Sequence, residues 1–237
     1  MKKSFAVILI LALILSFNAL AAAESVETAD ASTMRLARTE GSVLVKDEAG
    51  TALSWQENMR LYSGNTVETE AESRAGISLD AEKTITLDEK SLVSLHQHGK
   101  DLRVKLEDGA MYFSVYRPLH SDEQYEIETS TMVLGIRGTA GYVESFSPDV
   151  TMVILTSGKA VITAATGETY EIRPGKCVVV RNTSAGADFV VSDIHQSGYP
   201  DLLTKELATD PFQFPSYEYA SSFGSSSGGS SGPFDHP

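Results

Sequence analysis

The chain has 237 residues, a hydrophobic fraction of 42% and a formal net charge of −13 at neutral pH. That length fits one large or two small domains, and the apolar content is enough to fill a core. The acid excess repels phosphate backbones, so nucleic acid is excluded as a partner class.

In chain order, a short basic start, Met1-Lys2-Lys3, precedes an apolar run from Phe5 to Phe17. Small residues at Ala19, Ala21 and Ala23 offer cleavage spacing, so residues 1–23 have the pattern of a secretory signal peptide. The apolar run is shorter than the roughly 20 residues of a spanning helix, so no stable membrane insertion is expected after cleavage. Residues 24–33 are polar and alanine-rich, and are expected to be a flexible lead-in.

From Met34 a strand pattern begins. Ser42 to Val45, Thr51 to Trp55, Thr66 to Thr69, Ala75 to Leu79, Thr84 to Leu87 and Ser91 to Leu95 are short apolar or alternating runs. Charged or glycine-containing turns separate them. Leu102-Arg103-Val104-Lys105-Leu106 alternates strictly, which predicts a strand with one face buried and a basic face outward. Gly109 to Val115, the loop around Pro118, and Tyr125 to Thr129 follow.

The central stretch, Met132 to Thr163, carries three apolar, β-branched runs broken by Gly135, Gly138, Gly141, the Ser147-Pro148-Asp149 turn and Gly158. Such runs predict buried strands. Glycine inside a strand marks a bulge, a bend or a close backbone approach. Gly135, Gly138 and Gly158 are therefore candidate structural positions, with the Thr139 hydroxyl expected to satisfy a backbone group freed by the bend. Beyond it lie the Thr166-Gly167 turn, Thr169 to Ile172, the Pro174-Gly175 turn, Cys177 to Val180, and Asp188 to Val191. Tyr199 to Ala208, with Leu202, Leu203 and Leu207, predicts a short helix packed on the sheet. Residues 211–237, first aromatic and then Ser/Gly-rich, predict a flexible tail.

Chemistry-bearing residues are sparse. Arg137 is the one charge inside the apolar run that opens the central stretch, Met132 to Val143. It suits either a structural guanidinium or recognition of an anionic ligand. His96 and His98 share a face if extended, but no third ligand lies nearby in sequence. The His120-Ser121-Asp122-Glu123 loop could attract a cation weakly, without the spacing of a calcium loop. Glu126 and Glu128 suit a solvated strand face. The single cysteine, Cys177, sits in an apolar run and is expected to be a buried thiol. No catalytic or metal residues and no cofactor are assigned.

The order of glycines and apolar residues is specific. It runs through Leu61-x-x-Gly64-x-x-Val67-x-Thr69, Ala75-Gly76-Ile77-Ser78-Leu79 and Ile85-x-Leu87. It continues through Leu106-x-x-Gly109-x-x-x-Phe113, Ile127-x-Thr129, Gly138-Thr139, Tyr142-Val143 and Gly158-x-Ala160-x-Ile162. Over roughly Arg35 to Val180 this resembles the FecR domain, the extracytoplasmic β domain of bacterial iron-dicitrate-type signal regulators. Typical members carry a cytoplasmic anti-sigma segment before a membrane helix. Here only Met1 to Ser4 precede the apolar run, so that segment is expected to be missing. The resemblance implies a non-catalytic, exported sensing or interaction domain.

The expected fold class is all-β, with many short strands stacked as a sandwich or short β-roll and one short C-terminal helix. The β domain is expected over residues 34–192 and the helical extension over residues 193–210. The expected function is an exported, non-catalytic sensing or protein-interaction module, secreted or periplasmic. Its partner would be another envelope or extracellular protein. The alternatives are a carbohydrate- or polymer-binding envelope protein and a hydrolase with dispersed carboxylates.

Overall fold

A computed structural model describes residues 33–209. The expected signal peptide, the lead-in up to residue 32 and the tail from residue 210 lie outside the described residues.

Strands are numbered in chain order. Sheet A contains β1 (Arg35–Glu40), β5 (Arg74–Ser78), β6 (Lys83–Leu87), part of β8 (Asp101–Val115), β11 (Ala140–Ser147), β12 (Val150–Ser157), β15 (Lys176–Thr183) and β16 (Gly186–Asp193). Sheet B contains β2 (Val43–Lys46), β3 (Ala52–Leu53), β4 (Thr66–Thr69), β7 (Leu92–His98), the rest of β8, β9 (Tyr125–Glu128), β10 (Met132–Ile136), β13 (Ala160–Ala164) and β14 (Thr169–Ile172). The spatial order in sheet A is β1-β5-β6-β8-β11-β12-β15-β16 and in sheet B β3-β2-β4-β7-β8-β9-β10-β13-β14. Every pairing is antiparallel except β8 with β9.

One strand joins the two sheets. Residues 101–108 of β8 pair with β7, and residues 109–115 pair with β6 and β11. The sequence pattern separates these runs at Gly109, but the backbone continues through it as one bent strand. The chain passes repeatedly between sheets, with corners at Gly41, Gly109, Gly138 and Gly158. The result is all-β as expected: two packed sheets wound from alternating crossings.

Between the sheets lies one core. Sheet B contributes Val67, Leu95, Val104, Leu106, Ile127, Leu134 and Ile162, and sheet A contributes Ile77, Ile85, Met111, Phe113, Val143, Val153 and Val178. Trp55 packs against this core, and its indole Nε1–H donates to the Val43 carbonyl at 2.8 Å. Burying a large apolar side chain contributes about 1.5–3 kcal/mol, so this layer dominates stability.

A second apolar cluster lies on the outer face of sheet A. Ala110, Tyr112, Ala140, Tyr142, Ile154 and Cys177 are covered by Leu202 and Leu203 of helix α1 (Asp201–Thr209). The helix is tied down at both ends. Asp201 pairs with Arg74 at 3.2 Å, Glu206 pairs with Arg38, and the Thr86 hydroxyl donates to Glu206 at 3.1 Å. This cover explains the central apolar runs: where both faces of a strand are buried, alternation gives way to continuous apolarity. Among the described residues no helix is long and apolar enough to cross a membrane.

Candidate functional site

The outer face of sheet B has no such cover among the described residues. In β8 the alternation buries Leu102, Val104 and Leu106 and turns Arg103 and Lys105 outward. Strand register then sets the neighbours. His96 lies opposite Arg103 and Ser94 opposite Lys105, while β9 places Glu126 beside Arg103 and Glu128 beside Lys105.

Opposite charges therefore meet across strands. Arg103 Nη2 lies 2.8 Å from Glu126 Oε2 and Arg103 Nη1 lies 3.7 Å from Glu128, while within β8 itself Lys105 Nζ lies 2.9 Å from Glu107. Further along the same sheet Lys46 pairs with Glu68 at 3.0 Å. Each exposed pair contributes at most about 1 kcal/mol. Arg103, Lys105, Glu126 and Glu128, with Ser63, Gln97 and Gln124, line an open groove of about 600 Å³. The groove offers donors and acceptors at sheet spacing with its charges already compensated. Chemically, that suits recognition of a polar surface.

Gly138 lies at the corner between β10 and β11. Its φ is +86°, and a Cβ there would sit 2.7 Å from Pro118 Cα. Only glycine suits that combination of left-handed backbone and close approach. Gly158, with φ +70°, stacks on the same corner, where a Cβ would come within 2.6 Å of Thr139 Cγ2. Gly135 differs. It sits in regular register between Glu126 and Val161, with only the Val161 carbonyl near, at 3.7 Å. Its register is unbroken, and neither left-handed backbone nor crowding requires glycine there. The third glycine of the run, Gly141, lies where the β11–β12 register shifts.

Thr139 is fully buried, and its hydroxyl has no hydrogen-bond partner among the described residues. The expectation that it satisfies a freed backbone group is corrected by its own carbonyl, which accepts from Val115 N at 3.0 Å. Arg137 is exposed at the corner and forms no ion pair or side-chain hydrogen bond among the described residues, so the structural-guanidinium reading is also corrected.

The Pro118 loop closes the neighbouring corner with charge. Glu123 pairs with Arg117 at 3.0 Å and lies 3.6 Å from buried Lys83, which itself pairs with Asp80 at 2.6 Å. The Arg117 hydrogen bond holds the Glu123 carboxyl below its ordinary range, against a desolvation penalty. Asp122 is engaged by Lys100 at 2.6 Å. The acids of this loop are thus already neutralised by bases, which leaves little to attract a cation.

His96 and His98 do share one outward face of β7, which runs on to His98 because it pairs with β8 as far as Asp101. No group of three or more His, Cys, Asp or Glu able to hold a metal ion occurs among the described residues. The Cys177 thiol is buried, and burial pushes its pKa up, away from a reactive thiolate.

One polar cluster carried no signal in the sequence. The buried hydroxyls of Thr129, Thr131 and Thr151 form a chain with spacings of 3.1 and 3.0 Å, and Asn182 Nδ2 donates to the Thr131 carbonyl at 3.2 Å. Thr129 and Thr131 share the β9–β10 turn, but Thr151 lies in β12 and Asn182 in β15, so only the tertiary fold brings the three segments together.

The sequence profile of the family described as FecR protein matches residues 65–161. Two crystal structures of a candidate anti-sigma factor from Parabacteroides distasonis ATCC 8503 resemble the chain at 15% identity and a TM-score of 0.47. The likeness covers 54% of this chain and 59% of that protein's length. No curated protein matches the chain. The profile match runs from β4 into β13 and includes both the open polar face and the Gly138 corner. Residues 65–161 of the β domain are thus similar to the FecR protein family.

Proposed function

We propose that the chain is an exported, non-catalytic sensing or protein-interaction module of the bacterial cell envelope. The observation that carries this reading is the FecR match over residues 65–161, since the family is one of regulators. The basic start and apolar run of residues 1–23 support export. Recognition of an envelope protein is supported by the open face of sheet B. Its paired charges add little to stability, and they present fixed polar groups for specificity.

The test is affinity capture from native envelope extract, run beside binding to a glycan panel. One reproducible protein partner with a silent glycan panel is the expected result. Specific glycan binding without a protein partner would overturn the reading. N-terminal sequencing of the native protein should begin near Ala22 or Glu24, and intact Met1 in a membrane fraction would contradict export.

A further inference from the structure

Four strands form the sheet edges among the described residues: β1 and β16 in sheet A, β3 and β14 in sheet B. An open edge is a row of unpaired N–H and C=O groups, and proteins blunt such edges with short strands, bulges, Pro, Lys or a covering segment. Three of these edges are blunted. β3 has two residues and β14 has four. The outer side of β1 is covered by a connecting segment, with Leu36 N bonded to the Met59 carbonyl at 3.0 Å and Asn58 N to the Leu36 carbonyl at 2.7 Å. Its register also breaks between Leu36 and Arg38.

β16 has none of these devices. Its eight residues, Gly-Ala-Asp-Phe-Val-Val-Ser-Asp, keep unbroken register with β15 and include neither Pro nor Lys. Among the described residues, no backbone group of residues 188–192 bonds to anything beyond β15. Val190 is 46% and Val191 39% exposed. Val191 lies opposite core residue Val178 and Val190 opposite Val179, so the two valines are exposed on opposite faces of the same edge.

We propose that β16 is a docking strand. An extended segment of a partner polypeptide, with alternating apolar residues flanked by Lys or Arg, adds to sheet A there and covers both valines. Main-chain pairing supplies affinity, and the alternate side chains supply choice of partner. Charge selects the basic flanks. Asp188 forms no ion pair among the described residues, and Glu168 sits beside Ala187 N at 3.3 Å, while Asp193 at the far end is already held by Lys176. The whole chain carries −13. A second copy would bring another chain of the same acid excess, with its own unpaired Asp188, to this edge, which like-charge repulsion disfavours. The proposal rests on the reading of the chain as an interaction module, but not on the polar face of sheet B.

The test is hydrogen exchange on the full chain with a synthetic peptide, Lys-Val-Thr-Val-Thr-Val-Lys. Controls replace its valines with serine or its lysines with glutamate. The expected result is slowed exchange confined to residues 188–193, and binding at least about tenfold weaker for either control and for Val190→Lys or Val191→Lys. Both substitutions are at exposed positions and should keep the melting midpoint; if either unfolds the protein, Ser192→Lys serves in its place. Three outcomes would overturn the proposal. They are no slowing at β16, equal slowing by the serine control, and protection of β16 before any peptide is added. In the last case, concentration dependence would assign the strand to a second copy and its absence to residues 210–237. Any of these leaves capture of a partner by another surface intact, so the two readings fail separately.

Discussion

On sheet A the outward positions Ala110, Tyr112, Ala140, Tyr142 and Ile154 lie beneath Leu202 and Leu203. On sheet B the outward positions include His96, Arg103, Lys105, Glu126 and Glu128, in an open groove. Both faces use the same pleat, so the difference is in what covers them. The covered face is held by apolar burial, at about 1.5–3 kcal/mol per large side chain. Exposed ion pairs contribute about 0–1 kcal/mol each on the open face. The first is therefore constrained by stability. The second can change without unfolding the protein, which frees it for recognition.

The largest effect that could break this contrast is removal of the cover. Leu203→Ala should cost about 2–5 kcal/mol in denaturant unfolding of the full chain, the range for a buried leucine. A loss below about 1 kcal/mol would mean the helix is a loosely held cover and the two faces are alike.

Next is the corner that holds the sheets in register. Gly138→Val should cost about 1–3 kcal/mol from backbone strain alone, with the close approach of Pro118 adding to it. Thr139→Val should be neutral or slightly stabilising, because it removes a buried hydroxyl without a partner among the described residues. Thermal unfolding checks both. A Gly138→Val protein with an unchanged midpoint but no partner binding would place recognition on this corner instead.

A smaller effect sharpens the contrast by pH. Burial on sheet A lifts the Glu144 carboxyl above its ordinary range, with the Asp88 charge acting the same way, while the Tyr142 hydroxyl, donating at 3.0 Å, opposes both. Between that raised value and about 4.3, its value in the unfolded chain, the native state binds more protons. Glu144 therefore adds stability as pH falls through this window. Glu144→Gln should raise the midpoint at pH 7 and lose that gain on acidification. Glu123, held low by Arg117, acts in the opposite sense: its contribution is present above about 4.3 and lost as pH falls through its lowered native value. A Glu144→Gln protein with an unaltered pH profile would show that the covered face is as wet as the open one.

Smallest of all, Arg103→Ala should change stability by less than about 1 kcal/mol, and the change should shrink further in salt. A larger loss would make the open face structural.

Much of this fold is legible in single residues. The alternation of Leu102 to Leu106 assigns its inner and outer faces, and Leu202 with Leu203 announces an amphipathic helix. Gly138 and Gly158 are legible as bends because glycine marks left-handed backbone. Gly135 carries the same letter without the same need, since sequence cannot show that only a carbonyl lies near it. The candidate site was legible only in halves. Arg103 and Glu126 each look outward-facing, but their meeting depends on the parallel β8–β9 pairing, set across the intervening loop. Arg137 misleads for a related reason: an apolar neighbourhood in sequence does not show that its corner faces solvent.

The central claim is that this domain works by protein recognition through its uncovered surfaces. The direct measurement places a photo-crosslinking side chain, one at a time, at Arg103 on the open face, Val190 on the β16 edge and Thr204 on the outer side of the helix, in the native cell. The account predicts a discrete protein adduct from Arg103 or Val190 and none from Thr204. Adducts from Thr204 alone, or none from any position while the purified chain binds a glycan, would contradict it.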